Sequence, residues 1–230
     1  MSIKENLAIV RQQLKQAAIQ SGRTPEDIRL IAVSKTKPVD MIRDALSAKQ
    51  TAFGENRVQE ALEKIEVLTD NPELEWHLIG HLQKNKVKFC PGNFKWIHSV
   101  DSIELAEKLE ARCAFAQKKI NVLIQVNLSH ESSKSGLQEW GDILQVAETL
   151  NAGHWLKFRG LMIIPAPNLG EISTRKIYEK IRGWRDQLRQ ELGSAEITEL
   201  SMGMTSDYHW AIQEGATMIR VGTAIFGSRK

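Results

Sequence analysis

Two lysines follow an apolar run near the beginning of the sequence. The segment "LIAVSKTKP", residues 30–38, places Lys35 and Lys37 directly after residues suited to a buried strand. A buried amine gives up its proton readily because burial disfavours its charged form, and a neutral lysine can form a Schiff base with an aldehyde. The same pattern fits a lysine that reaches solvent or pairs with a carboxylate such as Glu55. Lys37 is the weaker candidate because it precedes Pro38, which suits the first turn of a helix and places Lys37 on its exposed approach.

Two segments near the end of the sequence combine glycines with hydroxyl side chains in the pattern of a phosphate site. They are "SMGMTSD" (201–207) and "RVGTAIFG" (220–227), and a helix expected to begin near 206–207 would offer free backbone N–H groups. Glycine lets the backbone approach an anion closely, and serine and threonine supply donors. The alternative is that the glycines only form tight turns. We name the predicted phosphate cradle by its residues Ser201, Gly203, Gly222 and Thr223.

Arg220 lies between Ile219 and Val221 in another apolar run. A guanidinium does not lose its charge as an amine can, so a buried arginine needs hydrogen-bond acceptors. A structural ion pair would satisfy this need, and so would the nitrogen atom of a heteroaromatic ring. The sequence therefore predicts either an ion pair or a ligand contact at this position.

Composition and charge narrow the class of protein. The 230 residues are 42% hydrophobic and 26% charged, which is typical of a soluble globular protein, and the net charge of +3 comes without a basic run, so we expect no nucleic-acid partner. The two cysteines are expected to be reduced thiols, and the histidines show no ligand spacing, so we expect no metal site. No segment approaches the ~20 apolar residues that span a bilayer, and no signal peptide is evident, so we expect a cytoplasmic protein without a membrane partner.

Short apolar runs alternate with longer amphipathic segments along the chain. An amphipathic pattern over residues 2–20 predicts an N-terminal helix. The predicted strands are residues 29–35, 51–56, 75–80, 95–100, 120–128, 156–164, 199–203 and 217–227. Eight strands alternating with helices predict an α/β fold, a single (β/α)8 TIM barrel over residues 1–230, with a doubly wound open sheet as the alternative.

Two details of this predicted barrel stand out. The helix after the third strand is the least certain element, because the segment "QKNKVKFC" is short. Few residues follow the eighth strand, so we expect the N-terminal helix to cover the gap left by a missing last helix.

The carboxyl ends of barrel strands are where functional groups collect in this fold. Several polar residues are predicted at these ends or in the loops that follow them. They include Lys35, Asn56, Ser201, Arg220, Gly222 and Thr223. Because these residues come from four separate strands, the barrel would bring them to one rim.

An aldehyde, a phosphate and a ring nitrogen together describe pyridoxal 5′-phosphate (PLP). The sequence resembles the pyridoxal phosphate homeostasis protein family, which is similar to the N-terminal barrel domain of alanine racemase and has the PLP-binding fold type III. The resemblance runs in order through nearly the whole chain. Its motifs are "AVSKTKP", "FGENRVQE", "EWHLIGHLQKNK", "VLIQVNLSHESSKSG", "RGLMIIPAP", "LSMGMTSD" and "MIRVGTAIFG".

The resemblance implies that Lys35 holds PLP as a Schiff base. The other implied cofactor contacts are Ser201, Gly222 and Thr223 to the phosphate, Arg220 to the pyridine nitrogen, and Asn56 at the side of the ring. Lys134, in the family's "SKSG" loop, could attract the phosphate or a second PLP molecule. The sequence leaves open whether Lys134 or Lys37 forms such a second or transfer site.

An arginine at the ring nitrogen bears on function, because it does not keep that nitrogen protonated as a carboxylate would, and so disfavours strong carbanion chemistry. The sequence ends at Lys230, directly after the eighth strand, so we expect no second β-rich domain of the kind that racemases resembling this barrel carry. We therefore expect a monomeric PLP carrier without catalytic residues. It would buffer PLP or deliver it to PLP-dependent apoenzymes, or act with a regulatory protein, and so influence vitamin B6 and amino-acid balance.

Three alternatives follow from the same residues. A weak PLP-dependent amino-acid racemase would use Lys35 as one base. A Schiff-base aldolase would more typically carry its lysine at the end of the sixth strand, where this chain has Ile163, Ile164 and Pro165. An interaction module with a relic pocket would not need Lys35 at all.

Overall fold

Eight parallel strands close into a barrel in the computed structural model, which describes residues 1–128 and 135–228. The strands are β1 (Arg29–Val33), β2 (Ala52–Glu55), β3 (Glu75–Leu78), β4 (Trp96–Val100), β5 (Ile120–Val126), β6 (Leu156–Ile163), β7 (Glu199–Ser201) and β8 (Met218–Val221). Strand β1 closes the barrel by pairing with β8, and each other strand pairs with its neighbours in sequence. The predicted (β/α)8 barrel is confirmed. The open sheet is wrong, because an open sheet would leave two edge strands unpaired.

Helices connect the strands and cover the outside of the barrel. The α-helices are α1 (Ile3–Gln20), α2 (Val39–Ser47), α3 (Val58–Val67), α4 (Ile103–Ala116), α5 (Trp140–Ala152), α6 (Gly170–Glu191), α7 (Tyr208–Gln213) and α8 (Thr223–Phe226). Two 3₁₀ helices span Pro25–Asp27 and Lys84–Phe89, and the second of them occupies the weakly predicted position after the third strand. Within the described ranges, none of the helices is long and apolar enough to cross a membrane.

Helix α1 covers the barrel beside its last strand. It begins with a capping box, in which the Ser2 hydroxyl accepts from the backbone N–H of Glu5 and the Glu5 carboxylate accepts from the backbone N–H of Ser2. It packs against α2, α7 and α8, and the Asn6 amide donates to the carbonyl oxygen of Ile225 in α8 at 2.9 Å. The expectation that the N-terminal helix covers this part of the barrel is confirmed.

The eighth strand is shorter than predicted, because it ends at Val221 instead of continuing to residue 227. Its pairing with β1 stops there, and the chain turns at Gly222 into the short helix α8, two of whose N–H groups donate to the Gly222 carbonyl at 2.9 Å. A short apolar run such as "TAIF" fits a strand and a helical turn equally well, so periodicity does not separate them. Thr223 therefore begins a helix, and its predicted place on the strand is wrong.

Alternation along the strands divides the side chains between the barrel interior and an outer core against the helices. The interior contains an apolar cluster of Ile31, Ala52, Trp96, Leu123, Met162 and Met218. Two residues beyond Trp96 and Met218, towards the carboxyl ends of their strands, the same interior face carries His98 and Arg220, both buried. The interior therefore changes from apolar to polar along these strands, towards the rim where the functional residues are expected.

Candidate functional site

The carboxyl ends of β1, β2 and β8 bring three of the predicted residues to one rim of the barrel. Lys35 is half-buried in the turn after β1, Asn56 directly follows β2, and Gly222 directly follows β8. Strand β1 pairs with both of the other strands. A Cβ atom added at Gly222 would lie 3.3 Å from the carbonyl oxygen of Val33, so the loop after β8 lies close to the end of β1. Lys35, Asn56 and Gly222 therefore share one rim.

Arg220 is a buried cation whose bonded acceptors are neutral. Its guanidinium donates to the Ser201 hydroxyl at 2.6 Å and to the carbonyl oxygen of Ile163 at 2.9 Å. Burial lowers the pKa of Arg220 to about 10, with Tyr178 and Asp207 acting in the opposite direction, so the group stays charged at neutral pH. Within the described ranges, no carboxylate forms an ion pair with this guanidinium. Two acceptors leave further N–H donors of the guanidinium for a ligand.

The loop between β7 and α7 is held by the buried Tyr178 of α6, which bonds to Asp207 in the loop. The Tyr178 hydroxyl donates to one Asp207 carboxylate oxygen at 2.8 Å, and the backbone N–H of Met204 donates to the other at 2.6 Å. Gly203 has a positive φ of 93°, and a Cβ atom there would lie 2.6 Å from the Cβ of Ala211, so only glycine fits without displacing α7. The predicted helix near 206–207 begins at Tyr208.

The residues of the predicted phosphate cradle differ in their exposure. Ser201 is fully buried, and its hydroxyl is within hydrogen-bonding distance of Arg220 and His98. Gly222 is half-buried and Thr223 is exposed at the start of α8. The accessible part of the cradle in this structure is therefore the β8–α8 junction, and Ser201 faces the barrel interior.

A buried ion pair lies beneath the turn that carries Lys35. The Glu55 carboxylate is fully buried, and its Oε1 accepts from the Lys64 ammonium at 2.8 Å and from the Ser34 hydroxyl at 2.6 Å. Burial raises the pKa of Glu55, while the hydrogen bonds from Lys64 and Ser34 oppose this effect. The sequence analysis considered Glu55 as a partner for Lys35 but missed Lys64. The pairing depends on helix α3 folding back over β2, and local spacing does not reveal this.

The same lysine shapes the turn itself. Lys64 also donates to the carbonyl oxygen of Ser34 at 2.8 Å and to the Glu60 carboxylate at 2.7 Å. That carboxylate accepts the backbone N–H of Thr36, which has a positive φ of 62°. The left-handed residue directly after Lys35 is thus held by a buried cation and an acid from α3.

Lys37 lies on the approach to α2, as predicted, but it is half-buried there and its ammonium bonds to backbone. Its ammonium donates to the carbonyl oxygens of Phe226, Gly227 and Ser228 at 3.1–3.2 Å. Carbonyl groups at the end of a helix attract a cation because they have no partner within the helix. Lys37 therefore ties the β1–α2 loop, which carries Lys35, to the end of α8. Lys134 lies outside the described residues.

Two histidines that appeared scattered in the sequence meet inside the barrel. The Nδ1 atom of His77 lies 3.0 Å from the Nε2 atom of His98, and the Nδ1 atom of His98 lies 2.8 Å from the Ser201 hydroxyl oxygen. Burial lowers the pKa of both imidazoles well below the usual value, and nearby Arg29 adds to the effect. The sequence does contain a signal for this pair, because His77 and His98 lie on consecutive predicted strands at positions that face the barrel interior. Among the residues described, no group of three or more His, Cys, Asp or Glu side chains could hold a metal ion.

A cavity of about 250 Å³ adjoins Asn56 at this rim. Its polar lining residues are Asn56, His81, Gln125, Asn127 and Ser135. The Gln125 amide donates to the backbone carbonyl of Ser135 at 2.8 Å, which ties the end of β5 to the segment beyond it. The rim therefore has space for a small polar ligand beside Asn56.

Replacing Lys64 by methionine would leave the Glu55 carboxylate buried without its cation. We expect Lys64→Met to lower the free energy of unfolding by ~3–5 kcal/mol, because an unpaired buried charge is strongly destabilising. The double variant Lys64→Met/Glu55→Gln should regain most of the loss. Urea unfolding at neutral pH measures both, with Lys108→Met, which removes an exposed ion pair to Glu104, as a control that leaves stability unchanged. A Lys64→Met protein as stable as the wild type would contradict the expectation.

The two buried histidines predict a loss of stability in acid. Their pKa values are lowered in the folded state, whereas an unfolded histidine titrates near about 6.5. The unfolded chain therefore binds more protons below this pH, and the free energy of unfolding should fall by up to ~1.4 kcal/mol per pH unit for each histidine as the pH drops. Urea unfolding between about pH 5 and pH 8 tests the slope. His77→Gln should make the slope shallower, whereas the same change at exposed His154 should not.

Known proteins resemble this chain over its full length. The family model described as alanine racemase, N-terminal domain, matches residues 2–230. The pyridoxal phosphate homeostasis protein of Pasteurella multocida (strain Pm70) is 45% identical over 230 residues, which cover 100% of this chain and 98% of that protein. The protein of the same name from Escherichia coli (strain K12) is 41% identical over 229 residues, which cover 99% and 97% of the two chains.

A solved structure agrees with these matches. PipY of Synechococcus elongatus PCC7942, in a structure with PLP bound, is 40% identical to this chain and superposes with a TM-score of 0.88. The superposition covers 98% of this chain and 100% of PipY. Because both the family model and the curated relatives match nearly every residue, the chain belongs to the pyridoxal phosphate homeostasis protein family, whose barrel is that of the alanine racemase N-terminal domain.

Proposed function

We propose that this chain binds PLP through a Schiff base on Lys35 and serves PLP homeostasis as a non-catalytic carrier. The observation that carries the proposal is Arg220, a buried guanidinium at the rim that also carries Lys35, whose bonded acceptors within the described part of the chain are all neutral. A buried cation of this kind suits a ligand with an acceptor nitrogen or an anionic group. The PLP-bound structure of PipY, a relative with the same fold, supports PLP as that ligand.

The residues at the rim fit the parts of PLP. When bound, PLP supplies an electrophilic aldehyde and an electron-withdrawing ring. Lys35 would hold the aldehyde carbon, and Arg220 would donate to the ring nitrogen. The remaining proposed contacts are Asn56 at the side of the ring, and Gly222, Thr223 and Ser201 towards the phosphate. Of these, Gly222 has a backbone that can approach an anion closely, and the bond from Arg220 to Ser201 supports a place for Ser201 at the inner end of the site.

The surroundings of Arg220 support a carrier more than a catalyst. A guanidinium donates hydrogen bonds and does not accept them, so it leaves a ring nitrogen unprotonated and the ring a weak electron sink. Its neighbours Ser201 and Ile163 contribute no negative charge that would change this. Strong carbanion chemistry on the bound cofactor is therefore disfavoured, and retention of the aldehyde on Lys35 is the chemistry that remains.

The proposal extends to where and how the chain acts. We propose that it works as a monomer in the cytoplasm, buffering PLP or delivering it to PLP-dependent apoenzymes, with effects on amino-acid and keto-acid balance. Support for a monomer comes from the large exposed apolar side chains among the described residues, which are distributed over several helices. Examples are Ile19 on α1, Val67 on α3, Phe115 on α4 and Ile172 on α6.

The attachment site is tested by a matched pair of lysine variants. PLP added to the wild-type chain should produce a near-visible absorbance band that borohydride bleaches, leaving a pyridoxyl mass on Lys35 in a peptide map. Lys35→Arg should show neither, because a guanidinium forms no stable Schiff base. Lys37→Arg should keep both, since arginine can still donate to the carbonyls at the end of α8. A pyridoxyl mass on another lysine, or no band at all, would contradict the proposal.

The carrier role is tested by transfer. PLP-loaded protein mixed with a PLP-free aminotransferase should restore the activity of that enzyme, and light scattering should give the 26.0 kDa mass of one chain. Purified loaded protein should not convert L-alanine to D-alanine. Sustained racemisation that is lost in Lys35→Arg would instead establish a weak racemase and contradict the proposed non-catalytic role.

A further inference from the structure

Four polar side chains from four strands form a continuous chain across the barrel interior. His77 from β3 meets His98 from β4 at 3.0 Å, His98 meets Ser201 from β7 at 2.8 Å, and Ser201 meets Arg220 from β8 at 2.6 Å. The first three are fully buried, and Arg220 is 3% exposed. We call these four residues the interior relay. Of these four, only Ser201 and Arg220 have a proposed role in PLP binding.

The interior relay has a direction that follows from its donors. Arg220 can only donate, so the Ser201 oxygen accepts from it, and the serine proton points to its other neighbour, the Nδ1 atom of His98. Buried His98 is neutral and has one N–H group, which must then lie on Nε2 and donate to the Nδ1 atom of His77. The proton of neutral His77 lies on Nε2, 4.0 Å from the carboxylate of Glu75 at the opposite end of the barrel.

Ring packing fixes the planes of the two imidazoles. The His77 ring stacks on the Trp96 ring with an interplanar angle of 2°, and the His98 ring meets the same indole edge-on at 62°. The Arg29 guanidinium lies over the Trp96 ring, with its central carbon 5.4 Å from the ring centre. The imidazoles are thus flanked by an aromatic ring and by cations, which disfavour a second proton on either of them.

We propose that His98, backed by His77, is a positioning residue that orients the Ser201 hydroxyl as a fixed acceptor for Arg220 and so sets the plane of the guanidinium at the ligand rim. A serine hydroxyl can rotate, and without an acceptor its proton could point towards the guanidinium and repel it. His98 disfavours that orientation, because its Nδ1 atom accepts a hydrogen bond from the serine hydroxyl. With the Ile163 carbonyl as the second acceptor, the guanidinium then has two fixed partners and one defined plane.

The relay would preorganise the Arg220 guanidinium for its ligand. This inference rests on the proposed binding of PLP at this rim. A guanidinium fixed before the ligand arrives loses little conformational entropy on binding, so a broken relay should weaken affinity. The relay should also act as a unit. Removing Ser201 or His98 should each remove the same constraint on Arg220, so the two losses should not add.

The direction of the relay is tested without any ligand. Nitrogen-15 NMR of the histidine side chains in the full chain should show His77 and His98 both protonated on Nε2 and unprotonated on Nδ1. A Nδ1–H form of His98 would overturn the proposal, because His98 would then donate to Ser201 and leave the serine proton unassigned.

The positioning role is tested with PLP itself. His98→Leu and Ser201→Ala should each weaken PLP binding roughly tenfold, the effect of losing about one net hydrogen bond, and shift the near-visible band of bound PLP. His98→Asn should restore most of the affinity, because the asparagine oxygen lies near the place of Nδ1 and can accept from Ser201. The double variant His98→Leu/Ser201→Ala should bind PLP no more weakly than Ser201→Ala alone.

The outcomes separate the two proposals. A wild-type chain that gives no near-visible band with PLP would remove the proposed function while leaving the NMR result on the relay standing. The positioning role alone would be overturned if the wild-type chain binds PLP and both His98→Leu and Ser201→Ala bind it equally well with unchanged spectra. Additive losses in the double variant would also overturn it, and Ser201→Ala keeps the test available if His98→Leu does not fold.

Discussion

A guanidinium buried inside a barrel constrains the residues on the neighbouring strands, because they must supply its hydrogen-bond acceptors. Arg220 remains charged at neutral pH, so its surroundings must supply acceptors in fixed positions. Strand β6 supplies the carbonyl of Ile163, and β7 supplies the hydroxyl of Ser201. The serine proton in turn needs its own acceptor, which β4 supplies through His98. Four strands are therefore committed to one cation, and this explains why polar residues occupy interior positions that apolar side chains would otherwise fill.

A second buried cation, Lys64, contrasts with Arg220. The comparison distinguishes a cation that stabilises the fold from one that is available to a ligand. Lys64 lies between the barrel wall and α3, where Glu55 and Glu60 both accept from it. Its charge is compensated by acids within the fold, so this network needs no ligand and serves to hold the turn at Lys35. Among the described residues, the acceptors bonded to Arg220 are all neutral. An incompletely compensated buried charge at a rim is the arrangement that a ligand can complete.

The sequence predicts those features that depend on local pattern. Alternating apolar runs were sufficient for the eight strands, and Lys35 and Arg220 attracted notice because a charge in an apolar run is unusual. What escaped prediction depends on closure of the barrel. His77 and His98 are distant in sequence and become partners only when β3 and β4 pair in register with their side chains inward. Lys64 reaches Glu55 only once α3 covers β2. The end of β8 was misplaced because four apolar residues carry too little periodicity to distinguish strand from helix.

Rigidity at this rim bears directly on the choice between holding and transforming a cofactor. Lys37 ties the loop of Lys35 to the end of α8, Lys64 holds the turn that follows Lys35, and Tyr178 holds the loop after β7. These supports hold the loops that carry the proposed binding groups, and the bonded acceptors of Arg220 are neutral. A binding site gains affinity from such prior order, whereas strong carbanion chemistry is favoured by a protonated ring nitrogen that accepts electrons. On the proposed placement of Arg220 at the ring nitrogen, the arginine favours retention of PLP over turnover, which agrees with the homeostasis family to which the chain belongs.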